Sequence, residues 1–253
     1  MGKQARNASR GVRQARAAAE QRRKRLRLLT GAGAVVIVGL LVAIVVSLVN
    51  AAGGSAPDRD GSQKKMVTPA TATAGGALAV GSATAPVRLE VYLDYMCPYC
   101  GRFEQANAGE LERLVAEGTV RLELYPLSFL DKASAGTRYS TRTANAVATV
   151  ADRAPGKVLA FNNALFTRQP AEGTAGLSDD EIAALARSAG VPTDVVNLFT
   201  DGIFEPWVAA STETVLKTGV SSTPTVKING KVFKGDLFTV GPLTQAVAAA
   251  KGQ

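Results

Sequence analysis

The rhythm of apolar positions divides the chain. Residues 28–49, from Leu28 to Val49, carry no charged side chain and consist mostly of Val, Leu, Ile, Ala and Gly. As a helix rising about 1.5 Å per residue, such a run spans roughly 33 Å, enough to cross the hydrocarbon core of a bilayer. Much later, Val87-Arg88-Leu89-Glu90-Val91-Tyr92-Leu93 alternates and is β-branched enough to predict a strand. Phe103, Ala106, Leu111, Leu114 and Val115 then recur at helical spacing. Pro98 suits the first turn of that helix, where its missing N–H costs nothing, and Gly118 ends it. Residues 120–127 read as a second strand.

Residues from about 133 to 218 carry helical patterning throughout. Ser178-Asp179-Asp180-Glu181 matches a capping box ahead of Ile182, Leu185 and Ala186. Trp207 falls in a helical stretch between Phe204 and Val208, where core packing is favoured over substrate contact. Strand character returns at Thr225-Val226-Lys227-Ile228. Asn229-Gly230 is a two-residue hairpin signal, and Lys231-Val232-Phe233 continues the strand. Residues 240–251 supply a closing helix. The predicted order is strand, helix, strand, helical block, hairpin, helix.

Charge changes the picture only at the N-terminus. Residues 1–27 hold ten Lys and Arg against Glu20 alone, whereas the whole chain is +8, so the remainder is nearly neutral. A uniformly basic nucleic-acid-binding face is therefore not expected. Basic residues packed before the apolar run place the N-terminus in the cytoplasm and the rest of the chain outside. An uncleaved signal anchor over 28–49 is the favoured reading. A cleaved signal peptide, with Val49-Asn50-Ala51 as a small-residue cleavage site, is the other. Residues 50–85 are rich in Ala, Gly, Ser, Thr and Pro and read as a flexible tether to a domain over 86–253.

The chemistry sits in the two cysteines, Cys97 and Cys100, which are the chain's whole complement. Three residues apart on a first helical turn, they lie on one face within reach of a disulfide. Cys97 falls at the helix N-terminus, where unpaired N–H groups and the helix dipole favour a thiolate. Cys100, one turn in, is expected to be more buried and less reactive. Structural zinc asks for four Cys or His ligands, and this chain has two cysteines and no histidine, so no metal site is expected. The same lack of histidine excludes serine-triad and cysteine-protease chemistry. A purely structural bridge is the bland alternative, but a loop this short would contribute little stability.

The stretches Ala85-Pro86-Val87 and Asp94-Tyr95-Met96-Cys97-Pro98-Tyr99-Cys100-Gly101-Arg102-Phe103 resemble the active-site region of DsbA-like thiol–disulfide oxidoreductases. Gly219-Val220-Ser221-Ser222-Thr223-Pro224-Thr225, with Asn229-Gly230, resembles that family's second signature. The likeness covers roughly residues 80–250. It implies an α/β, thioredoxin-like fold with an inserted helical subdomain at about 133–218, here preceded by one transmembrane helix. It implies Cys97 as the attacking or attacked sulfur and Cys100 as the resolving one, with Pro98 and Tyr99 between them. It implies a cis bond at Thr223–Pro224 facing the cysteines and engaging substrate; an ordinary trans proline opening a strand is the alternative. Asp94 matches an acidic position of such relatives, either moving protons at Cys100 or capping a turn. One departure is Tyr99, where the best-known oxidases carry histidine; tyrosine adds no positive charge beside the thiolate. The implied activity needs no cofactor. Its partners are protein thiols of secreted or membrane proteins, plus a membrane redox partner that reoxidises the pair. A reductase or isomerase role, and a tethered binding module with an inert disulfide, are the competing expectations.

Overall fold

The computed structural model describes residues 66–252. The basic tail, the apolar run at 28–49 and most of the stretch read as a tether lie outside the described residues. Among the described residues, no helix is long and apolar enough to cross a membrane.

A five-stranded mixed sheet organises the domain, with strand order β1-β3-β2-β4-β5. Strand β2 (Val87–Leu93) runs parallel to β3 (Val120–Pro126), in register from Val87 against Val120 to Leu93 against Pro126. A parallel pair needs a crossover, and helix α1 (Pro98–Ala116) supplies it. Strand β4 (Thr225–Ile228) adds antiparallel to β2, and β5 (Lys231–Val232) pairs with β4. At the turn between them, Asn229 and Gly230 both adopt positive φ, 49° and 81°. A type I′ hairpin demands that conformation, which glycine and asparagine adopt most readily.

Strand β1 (Leu78–Val80) corrects the reading of residues 50–85 as tether. It pairs antiparallel with β3, Leu78 opposite Leu124, and both Ala77 and Leu78 are fully buried. The domain therefore begins before residue 86. Three residues, Leu78-Ala79-Val80, are too few to show an alternation, so this edge strand does not stand out from the Ala- and Gly-rich stretch before it.

Between β3 and β4 stand five helices: α2 (Tyr139–Arg153), α3 (Val158–Thr167), α4 (Asp179–Ser188), the single turn α5 (Thr193–Val196) and α6 (Glu205–Lys217). The capping box at Ser178 is formed in both directions: Ser178 Oγ accepts from the Glu181 N–H, and Glu181 Oε2 accepts from the Ser178 N–H at 2.8 Å. Helix α7 (Pro242–Ala250) closes the chain. One continuous apolar core joins Leu89, Val91 and Leu93 of β2 and Phe103 of α1 to Val147, Phe161, Trp207 and Val208 of the helical block. Each such fully buried side chain contributes about 1.5–3 kcal/mol. The two cysteines belong to this same core, so the helices that complete it also bear on the sulfurs.

Candidate active site

The site forms where β2 ends and α1 begins. Leu93 is the last ladder residue, and the backbone then turns through Asp94, Tyr95 and Met96 into Cys97, the residue that caps α1. The turn is closed by the Cys97 N–H donating to the Asp94 carbonyl at 3.0 Å. Asp94 is wholly buried, and its carboxylate accepts three hydrogen bonds: from the Met96 N–H (2.8 Å), the Leu130 N–H (2.9 Å) and the Ser140 hydroxyl (2.7 Å). It thus caps the turn. Its own N–H points at Cys100 Sγ, 3.5 Å away, so it also borders the second sulfur. Burial raises its pKa to about 6, although the three donors oppose that rise.

Cys97 and Cys100 are both free thiols, the first 6 % exposed and the second 0 %. The Cys97 pKa is lowered from 9.0 to about 6. The largest cause is a hydrogen bond from Cys100; the Thr223 side chain and the Cys100 and Tyr99 backbone N–H groups at the open start of α1 add to it, while burial opposes them. The Cys100 thiol is pushed well above its usual value, first by burial and then by its bond to Cys97. One turn of helix thus holds one sulfur ready to be an anion and one held neutral.

The chain around 220–225 completes the site from the neighbouring strand, because the start of β4 lies beside the end of β2, Thr225 opposite Tyr92. The Thr223–Pro224 peptide bond is cis, and the Cys97 thiol donates to the Thr223 carbonyl at 3.3 Å. Residues separated by more than a hundred positions are thereby brought within one hydrogen bond. Pro98 opens α1 and faces solvent. Tyr99 is 56 % exposed; its ring lies 6.1 Å from that of Phe238, and the Arg102 guanidinium sits over both. Trp207 is buried in the core, away from this surface.

Several neighbours gave no sign in the sequence reading. Glu104 is buried one turn beyond Cys100 on α1, its pKa pushed up to about 7 by burial despite a hydrogen bond from Asn162. Helical spacing of four would have placed it beneath Cys100. Tyr95 is also fully buried and donates to Asn162 Oδ1 at 2.9 Å. Gln169, from the loop after α3, donates its amide N–H groups to the carbonyls of Tyr95 (3.1 Å) and Cys97 (2.8 Å). No local pattern announces Gln169 or Ser140, because each meets the site only through the packing of the helical block. Among the described residues, no group of three or more His, Cys, Asp or Glu is placed to hold a metal ion.

Residues 73–240 match a family model described as Thioredoxin. Among solved structures, the chain is similar to the reduced form of the disulfide bond oxidoreductase DsbG from Mycobacterium tuberculosis, with a TM-score of 0.58 and 27 % identity, covering 72 % of this chain and 97 % of that one. It is similar to reduced DsbA from M. tuberculosis, with a TM-score of 0.57 and 26 % identity, covering 70 % and 99 %. It is also similar to MdbA, a thiol-disulfide oxidoreductase from Actinomyces oris, with a TM-score of 0.62 and 25 % identity, covering 72 % and 88 %. Among curated proteins it matches the serine/threonine-protein kinase PknE of M. tuberculosis at 33 % identity over 127 residues. That alignment takes in 49 % of this chain and only 22 % of the kinase's length.

Proposed function

From the premise that this chain belongs to the thioredoxin family, as a DsbA-like thiol–disulfide oxidoreductase, we propose that it oxidises thiols of secreted or membrane proteins outside the cytoplasmic membrane. The observation that carries this reading is Cys97 at the start of α1, its ionisation eased to about 6 beside a buried partner thiol. A cysteine whose thiolate is this stable is a good leaving group and makes the disulfide form an oxidant.

The cycle starts with the Cys97–Cys100 disulfide. A substrate thiolate attacks Cys97 Sγ, a mixed disulfide forms, and the S–S bond breaks toward Cys100, which leaves with the electron pair. The Asp94 N–H, aimed at Cys100 Sγ, steadies the departing thiolate, which must then take a proton, and we assign its delivery to the buried carboxyl of the same residue, whose pKa of about 6 lets it carry one near neutral pH. A second substrate thiolate attacks the substrate sulfur of the mixed disulfide and Cys97 departs as the stabilised thiolate. The substrate loses two electrons, and the enzyme holds them as the dithiol. The Thr223 backbone, whose carbonyl already faces Cys97, can pair with an extended substrate segment beside Pro224. A membrane redox partner then reoxidises the dithiol. The apolar run at 28–49 and the basic residues before it support anchoring with the catalytic domain outside.

Replacing Cys97 by Ser should abolish oxidation of a reduced, unfolded test protein; retained activity would remove the mechanism. Protease added to intact cells should remove the C-terminal domain and spare the basic tail. A second reading, reductase or isomerase, is favoured by Tyr99, which supplies no positive charge between the cysteines. The redox potential against glutathione decides between them, and a value near that of thioredoxin would favour the reductase. A tethered binding module with an inert bridge would resist mild dithiothreitol, whereas a working pair opens.

A further inference from the structure

Gln169 reaches the active-site turn from the helical block, and its contacts fix which way its amide faces. Both partners, the carbonyls of Tyr95 and Cys97, are acceptors, so only the NH2 end can meet them. The Cys97 carbonyl also receives the N–H groups of Cys100 at 2.9 Å and Gly101 at 3.3 Å. One oxygen therefore anchors both the first turn of α1 and the side chain of Gln169. On the other flank, Met96 N–H is held by Asp94. The two-carbonyl grip spans the residues that set the Cys97 backbone angles, −75° and 116°. Gln169 is itself steadied by its N–H donating to the Phe166 carbonyl at the end of α3 at 3.2 Å.

Gly101 makes room for this grip. A Cβ at residue 101 would overlap Gln169 Oε1 and lie 3.1 Å from Gln169 Cδ. No positive φ requires glycine there, since Gly101 is an ordinary helical residue. Glycine inside a helix is less favourable than alanine, because its backbone loses more freedom on folding. Here its lack of a side chain has a use, because it lets the amide lie against the helix.

We propose that Gln169 is a positioning residue for Cys97, clamping the turn so that the helix N–H groups stay aimed at its sulfur, and that Gly101 is small in order to admit the clamp. The inference rests on Cys97 being the reactive sulfur and adds the helical block as the element that holds it. Cys100 and Asp94 are the titratable groups facing that sulfur.

The test follows Cys97 ionisation in the full-length reduced chain by thiolate absorbance against pH, with circular dichroism to establish that each variant is folded. Gln169→Met keeps the bulk and removes the donors. It should raise the Cys97 pKa by about one unit, a tenfold smaller thiolate population at a given pH below it. The glutathione equilibrium should move tenfold the same way. Gly101→Ala, which displaces the amide without touching it chemically, should reproduce the shift. The double variant should add nothing further, as expected for two changes that break one contact. Folded single variants that titrate like the parent, or shifts that simply add in the double variant, would overturn the proposal. A parent whose Cys97 titrates near 9 would instead sink the oxidase reading, so the two failures are distinguishable.

Discussion

The two ends of the first turn of α1 place identical side chains in opposite surroundings. Cys97, at the open end, meets helix N–H groups, the Cys100 thiol and the Thr223 segment, and its ionisation is eased to about 6. Cys100, three residues on, is enclosed by the core, and burial keeps its thiol protonated well above the usual value. The difference shows that reactivity here belongs to position on the helix. The same turn that brings the sulfurs together leaves one against the open N–H groups of the helix and encloses the other completely.

The strongest way to break that contrast is to remove the inner sulfur. Cys100→Ala should leave Cys97 able to attack but unable to be released by its partner. Offered a substrate disulfide, Cys97 should break its S–S bond and accumulate as dithiothreitol-sensitive mixed disulfides, whereas oxidation of a reduced substrate should fall to background because no Cys97–Cys100 disulfide can form. Because Cys100 is the largest source of Cys97 easing, the Cys97 pKa should rise toward its ordinary value, whereas Cys100→Ser, which keeps a donor, should raise it less.

Asp94 tests the inner half of the contrast. Its folded pKa of about 6 lies above the ordinary 3.8, so the cost of its charge sets in as pH rises through that window and is complete above about 6. Asp94→Asn should therefore shift the stability difference between variant and parent in the variant's favour by up to about 3 kcal/mol as pH rises from 4 through 6, on top of a pH-independent loss, because an amide NH2 cannot accept from all three of the Met96, Leu130 and Ser140 donors. Urea unfolding across pH reads this. Disulfide exchange should slow, because the departing Cys100 thiolate loses the neighbouring carboxyl that supplies its proton.

Cys97 has the opposite sign. Its folded pKa is depressed, so the stabilisation of the reduced chain is complete above pH 9 and lost as pH falls through about 6. The lowering from 9.0 corresponds to about 4 kcal/mol; solvent screening at this partly open site reduces it to roughly 2–3 kcal/mol. The reduced chain should lose that much relative to the oxidised chain between pH 9 and pH 6, read from paired denaturant midpoints.

The smallest expected effect sharpens the outer half. Tyr99 is exposed and brings no charge to Cys97. Tyr99→His should lower the Cys97 pKa by about one unit once the imidazole is protonated, and make the pair more oxidising by about 30 mV. An unchanged titration would mean that the backbone N–H groups and Cys100 account for the thiolate alone.

Much of this was legible in the residues themselves. The Cys97–Cys100 spacing, Pro98 at the helix start, Asn229-Gly230 between β4 and β5, and the Ser178 capping box are each decided within one turn or one hairpin, where local geometry leaves few choices. Chemistry that local interactions determine can be read without a fold: two sulfurs on one helical face, one at the dipole. Tertiary structure alone decided what surrounds them. Leu130 and Ser140 meet Asp94, Gln169 grips the Cys97 carbonyl through the space left by Gly101, and the Thr223 carbonyl faces Cys97. Strand β1 likewise became visible only through its pairing with β3. These contacts join residues tens to more than a hundred positions apart. Nothing in a side chain's own identity records which distant carbonyl or N–H the packing of helices and strands will set against it.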